Sequence, residues 1–231
     1  MRLAAHQPQY LPWLGYFDKM DQVDVFVLLD TVQYKKNEWQ NRNRIRTANG
    51  WQWLTVPVHY SYPMRLGEVL VDKDAGWSRK HREALCQAYA RAPHRDAVLG
   101  PLLALLERPP ASLAALNSGG VRLLAGLLGV RTPIVLASSL EGLSEGPDAR
   151  LIDLCRRLGC TSYLAGAGGH DYMDLLAWGR AGIGVEFQEF GHPVYAQSYP
   201  GFEPNLSAVD FLMHCGPGSA QVLRRMRTRA A

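Results

Sequence analysis

The sequence predicts an α/β protein with a Rossmann-like, mostly parallel sheet, a β-hairpin and a helical insertion. Three observations predict it. Short apolar runs at 3–5, 24–29, 134–137, 161–165 and 185–190 alternate with helix-like stretches near both ends of the chain, the order that builds a parallel sheet. A turn pair, Asn49-Gly50, separates two strand-like runs, as in a hairpin. Residues 77–129 read as helical throughout.

In chain order, residues 3–5 form a short strand ending at His6, 14–20 start a helix, and 24–29 form a second buried strand. A strand opening at Ile45 and another over 51–58 flank the Asn49-Gly50 turn, and 67–71 form an edge strand. Helices follow at 78–91, 96–106 and 113–128. Pro109-Pro110 parts the second from the third, and Gly129 closes the third as a C-cap. A strand at 134–137, a helix at 150–158 ending at Gly159, and a strand at 161–165 lead to a strand at 185–190. Helices at 207–214 and 219–229 finish the chain. Its 231 residues suit one domain with a helical subdomain at about 77–129 and permit a sizeable core.

Composition is that of an ordinary globular protein, 47% hydrophobic and 20% charged. A net charge of +4 is too small to argue for nucleic acid by itself. Arg224, Arg225, Arg227 and Arg229 carry part of it, and such a run suits a helix C-terminus. None of the four cysteines forms a CxxC pair, which argues against a zinc knuckle or thioredoxin-type motif. With no signal-like start and no bilayer-length apolar run, a reduced, cytoplasmic protein with no membrane partner is expected.

Four clusters are candidates for chemistry. In a parallel α/β sheet, ligands bind at the carboxyl ends of strands. His6, Gln7, Gln9, Asp30 and Gln33 follow the first two strands and would share one rim if those strands are neighbours. His6 is read as a base or phosphate contact; the competing reading is that His6 and Gln7 only brace the loop backbone. The second cluster runs from Gln33-Tyr34-Lys35-Lys36 through Trp39 to Asn41-Arg42-Asn43-Arg44. Its cations and amides suit an anionic group and Trp39 a stacked base or sugar. A hairpin edge blunted by charge fits the same residues equally well. The third is Gly166, Gly168 and Gly169 with His170, Asp171 and Tyr172, where small residues after a strand let backbone N–H groups approach an anion. The fourth, His192, Tyr195 and Gln197, is read as a loop over the site. No two of the seven histidines stand at i, i+4 with an acidic neighbour, so no metal is assigned. No Gly-x-Ser-x-Gly elbow supports a Ser-His-Asp triad, and Cys215 reads as packing.

These residues resemble the WbqC-like protein family. The resemblance rests on His6-Gln7-Pro8-Gln9-Tyr10-Leu11-Pro12-Trp13-Leu14-Gly15-Tyr16-Phe17, Asp30-Thr31-Val32-Gln33-Tyr34, Asn41-Arg42-Asn43-Arg44-Ile45, Leu54-Thr55-Val56-Pro57-Val58, Asp171-Tyr172, His192-Pro193-Val194-Tyr195 and Phe202-Glu203-Pro204-Asn205-Leu206-Ser207. It spans nearly the whole chain. The family takes its name from surface-polysaccharide gene clusters, and its members also look at home near natural-product pathways, so the resemblance implies a biosynthetic enzyme. A more distant likeness is to nucleotidyltransferase-type α/β folds such as pantothenate synthetase. There a His-x-Gly-His motif occupies the place of Pro12 through Tyr16, so both histidines are replaced here.

The expected activity is transfer of an acyl or aminoacyl group to an amine or hydroxyl of a small or nucleotide-linked substrate. His6, Asp30 and His170 would be catalytic. Gln7, Gln9, Tyr10, Trp13, Gln33, Asn41, Arg42, the glycine turn, Asp171, Tyr172, His192 and Tyr195 would bind substrate. The alternatives are an ATP-dependent ligase or nucleotidyltransferase, with ATP or another nucleotide and Mg2+ as cofactor, and a non-catalytic nucleotide-sugar-binding protein. A carrier such as aminoacyl-tRNA is a further candidate partner, since aromatic and basic residues from Lys35 to Arg46 could engage a single strand.

Overall fold

Every strand of the central sheet runs in one direction in the computed structural model, which describes residues 1–230 and the side chains of residues 1–227. The chain opens with β1 (Arg2–His6), α1 (Leu14–Asp21) and β2 (Val25–Leu28), then the hairpin β3 (Arg42–Thr47) and β4 (Gly50–Thr55) and the short strands β5 (Val58–His59) and β6 (Leu70–Val71). Helices α2 (Trp77–Ala88), α3 (Arg95–Glu107) and α4 (Leu113–Leu128) form the insertion. The sheet then resumes with β7 (Ile134–Leu136), α5 (Pro147–Arg157), β8 (Ser162–Ala165), α6 (Leu175–Arg180) and β9 (Gly184–Phe187), and the chain closes with α7 (Ala208–Cys215) and α8 (Ala220–Ala230). The strand order is β7-β2-β1-β8-β9.

Strand side chains alternate between faces, and the core divides accordingly. Ala4, Phe26, Leu28 and Leu164 join one apolar cluster with α1, the insertion helices and α7. Leu3, Ala5, Val25, Val27, Tyr163 and Ala165 join a second with α5 and α6. The β1-to-β2 crossover therefore lies on one face, and the β7-to-β8 and β8-to-β9 crossovers on the other. The order reverses between β1 and β8, which makes the carboxyl end of that pair the topological switch point, where open α/β sheets bind ligands.

The predicted parallel sheet, hairpin and helical insertion are all present. The second hairpin strand is broken, however. Pro57 lacks the N–H a ladder needs, so β4 ends at Thr55 and β5 pairs with β6 instead. α5 starts three residues before the predicted 150, because Pro147 occupies the first turn, where its missing donor costs nothing. The final strand stops at Phe187 rather than 190. The side chain of Arg229 lies outside the described residues.

Candidate functional site

The switch point is an open cleft of about 250 Å³ lined by His6, Gln7, Lys19, Tyr163, Gly166 and Tyr172, among others. Its cause lies in the strand register. β1 and β2 pair over four residues, Leu3 to His6, whereas β1 and β8 pair only at Arg2 and Leu3. Beyond Leu3 the two strands part. The carbonyls of Arg2 and His6 accept from Asp24 and Leu29 on the β2 side, so by alternation the Ala5 carbonyl faces the gap. Lys19 Nζ fills it, donating to Ala5 O at 3.1 Å.

Lys19 is 4% exposed. Its ammonium lies 5.9 Å from the centroid of the Tyr163 ring, and among the described residues no carboxylate lies within ion-pair distance of it. Its sequence neighbour Asp18 is engaged elsewhere, by Gln188 Nε2 at 2.8 Å and Arg227 Nε at 3.0 Å. Burial alone lowers Lys19 to about 8.

His6 stands beside it, half-buried, its ring 4.9 Å from that of Tyr16. Nδ1 lies 3.1 Å from the Gln7 carbonyl, to which the Tyr16 hydroxyl also donates. A carbonyl only accepts, so Nδ1 carries the proton and Nε2 keeps its lone pair. Desolvation, then the Lys19 charge, pushes His6 down to about 4 against the backbone bond. The imidazole is neutral at physiological pH. The cleft thus holds a neutral imidazole and a buried cation without a counterion.

The other expected site residues do not converge there. Asp30 is buried, and its carboxylate accepts from the backbone N–H (2.9 Å) and hydroxyl (2.5 Å) of Ser138, tying the end of β2 to the turn after β7. His170 stacks on Phe187 with ring centroids 3.4 Å apart and is exposed, as is Asp171. In the glycine turn only Gly166 lines the cleft. Gly168 is open, and Gly169 is closely packed, a Cβ there meeting Met173 Sδ at 2.9 Å and the Phe187 ring at 3.0 Å. Gln9 is buried, and Tyr10 places its hydroxyl 2.8 Å from His81 Nδ1 in the core. Gln33 is exposed and bridges to Arg65. Asn41 donates to Val56 O, and Arg42 donates to Asn37 O while lying 4.3 Å over the Trp53 ring. Trp13 lines a second cleft, of about 390 Å³, with Trp39, Arg44 and Asn205.

The loop His192, Tyr195 and Gln197 packs on α7 rather than over the switch point. Tyr195 Oη and Gln197 Nε2 both donate to Asp210 Oδ2 at 2.9 Å, and His192 Nδ1 lies 2.8 Å from Pro193 O. Ser198, His214 and Asp210 come together here in a triad-like set, with Ser198 Oγ 2.8 Å from His214 Nε2. Yet His214 Nδ1 pairs with the Asp210 main-chain carbonyl at 2.7 Å, with the carboxylate at 3.7 Å. Nε2 also accepts from the Ser198 backbone N–H. The histidine is thus a brace for the loop. A third cleft, beside Asp18 and α8, is lined by Glu189 and by Asp18 and Arg227, which pair with each other. Among the described residues no cluster of His, Cys, Asp and Glu gathers as a metal site would, and no helix is long and apolar enough to cross a membrane.

Lys19 is the functional candidate that the sequence reading missed. The available signal was a lone cation among Leu14, Tyr16, Phe17 and Met20, all buried, in a short helix that follows the first strand.

Fold and site together define an α/β protein of Rossmann-like topology with a polar cleft at the switch point. The chain belongs to the WbqC-like protein family, whose description matches residues 7–222. It is 34% identical over 232 residues to an uncharacterized Mycobacterium tuberculosis protein, Rv1507c, across 98% of this chain and 99% of that one. No solved structure matches it.

Proposed function

We propose that this chain is a biosynthetic transferase that binds an anionic group on Lys19 in the switch-point cleft and uses His6 Nε2 as the base. The reaction would move an acyl or aminoacyl group to an amine or hydroxyl of a small or nucleotide-linked substrate. The observation that carries this reading is the buried Lys19 ammonium without a counterion beside a neutral imidazole. A buried cation is costly unless paired, and a ligand phosphate or carboxylate would pair it. Pairing also changes His6. Once an anion offsets the Lys19 charge, the electrostatic part of the His6 depression, second to desolvation, is relieved while substrate is bound. That timing suits general-base removal of a proton from the attacking amine or hydroxyl. The Gly166 turn, on the opposite lip, lets a ligand lie against backbone.

The test is turnover. Purified protein is offered acetyl-CoA, charged tRNA, or ATP with amino acids as donors, and UDP-amino sugars or simple amines as acceptors, with products read by mass spectrometry. The expected result is one acylated product, lost in both His6→Gln and Lys19→Met. Product formed at the unmodified rate by both variants would remove the reading.

A further inference from the structure

The second cleft has its own chemistry. Trp39, which lines it, and its neighbours Trp51 and Trp53 are each more than one-third exposed, at 37%, 41% and 37%. Their rings adjoin, with Trp39 and Trp53 centroids 5.5 Å apart and Trp51 and Trp53 5.7 Å apart. The Arg44 guanidinium lies among them, 4.9 Å from the Trp51 ring centroid and 5.8 Å from each of the other two. Trp13 forms another wall, fixed edge-on against Phe190 at 5.2 Å. Gly15 makes room for it, since a Cβ there would sit 2.3 Å from the indole.

The walls are pre-positioned. Asn43 Nδ2 donates to Leu11 O at 2.8 Å, and Tyr10 N to Trp39 O at 3.1 Å. Ser207 N donates to Arg44 O at 2.9 Å, and Ala208 N to Pro12 O at 2.8 Å. Asn205 takes a left-handed φ of 57° on the cleft rim, a conformation asparagine tolerates better than most residues.

Charge selects the occupant. Lys35, Lys36, Arg42 and Arg44 lie on this hairpin and the loop that leads into it. Among the described residues none of them makes an ion pair, whereas Arg2, Arg65, Arg79 and Arg150 elsewhere do. Arg44 makes one long hydrogen bond, 3.4 Å to the Asn205 carbonyl, so most of its five donors remain available. A neutral sugar would use the indoles and leave the cations unanswered. A ligand that is both flat and anionic uses both, since bases stack on indole and phosphate pairs with guanidinium. At about 390 Å³ the cleft falls within the range of small-molecule sites.

We propose that the cleft of Trp13, Trp39, Arg44 and Asn205 binds a nucleoside monophosphate moiety, the base stacked on the indoles and the phosphate on Arg44. This site is separate from the Lys19 cleft and does not depend on the reaction there. The test is tryptophan fluorescence during titration with AMP, GMP, CMP and UMP. Ribose 5-phosphate, adenosine and a single-stranded oligoribonucleotide serve as comparison ligands, and circular dichroism checks that each variant is folded. The expected result is saturable quenching by at least one nucleotide, weaker with either half-ligand, and weakened roughly tenfold or more in both Arg44→Gln and Trp39→Leu. Three outcomes would overturn it: no saturable quenching by any mononucleotide, binding of the oligonucleotide alone, or binding that Lys19→Met abolishes and Arg44→Gln leaves intact.

Discussion

The two clefts are built from opposite materials. The switch-point cleft is framed by strand ends. It exists because β1 and β8 stop pairing after Leu3, and it holds groups whose bonding is incomplete: Lys19 with one acceptor and, among the described residues, no counterion, and His6 with an unused Nε2. The indole cleft is framed by loops tied together by side-chain-to-backbone hydrogen bonds. Asn117 alone donates to the carbonyls of Pro8 (3.0 Å) and Gln40 (2.7 Å), joining two loops. Polar residues crowd the first 60 positions of the sequence, yet most of them brace backbone. At the switch point, Lys19 and His6 Nε2 are left for chemistry.

Substitutions can break this division. The largest effect is expected at the switch point, where His6→Gln and Lys19→Met should each lower kcat/KM by roughly 10²–10⁴-fold with little change in far-ultraviolet dichroism. Asn117→Ala should act on stability, costing about 1–3 kcal/mol in chemical unfolding, and should loosen the indole cleft by freeing its loops. Equal loss of turnover from Asn117→Ala and His6→Gln would mean that the two regions are not separable.

Stability against pH sharpens the contrast. His6 is held near 4, below its ordinary 6.5. Between those values the unfolded chain binds more protons, so the stability linked to His6 is full above about 6.5 and falls as pH drops toward 4. His81, also lowered to about 4 by burial, acts in the same window, so His6→Gln should flatten the loss only in part. Lys19, lowered from 10.5 to about 8, has the same sign at higher pH. The unfolded chain again binds more protons, so stability rises between about 8 and 10.5, a rise that Lys19→Met should remove. Urea midpoints at stepped pH measure both. The smallest effect is expected at the triad look-alike, where Ser198→Ala should leave turnover unchanged and cost about 0.5–1.5 kcal/mol.

The sheet was legible because apolar runs and helical periods are local, and so was the Gly129 C-cap, whose φ is 82°. The His6 and Gly166 ends were legible through the same logic, since strand order places strand ends on one rim. Lys19 was not. Its role depends on β1 and β8 separating, a register effect that no single segment encodes. Nor was the pairing of Tyr10 with His81, 71 residues apart, which turns a candidate ligand contact into a core bond. Asn41 and Arg42 read as anion contacts by residue type, but the hairpin's closure puts the Asn41 amide on the Val56 carbonyl and gives Arg42 one bond, to the Asn37 carbonyl.

The most direct measurement is lysine labelling in the intact protein by pyridoxal 5′-phosphate and borohydride, an aldehyde that carries its own anion, mapped by mass spectrometry across pH. The account predicts modification at Lys19 with a midpoint near pH 8, suppressed by competing inorganic phosphate. No label at Lys19 below pH 10, with surface lysines labelled normally, would contradict the claim that the switch-point cleft holds an accessible, reactive amine.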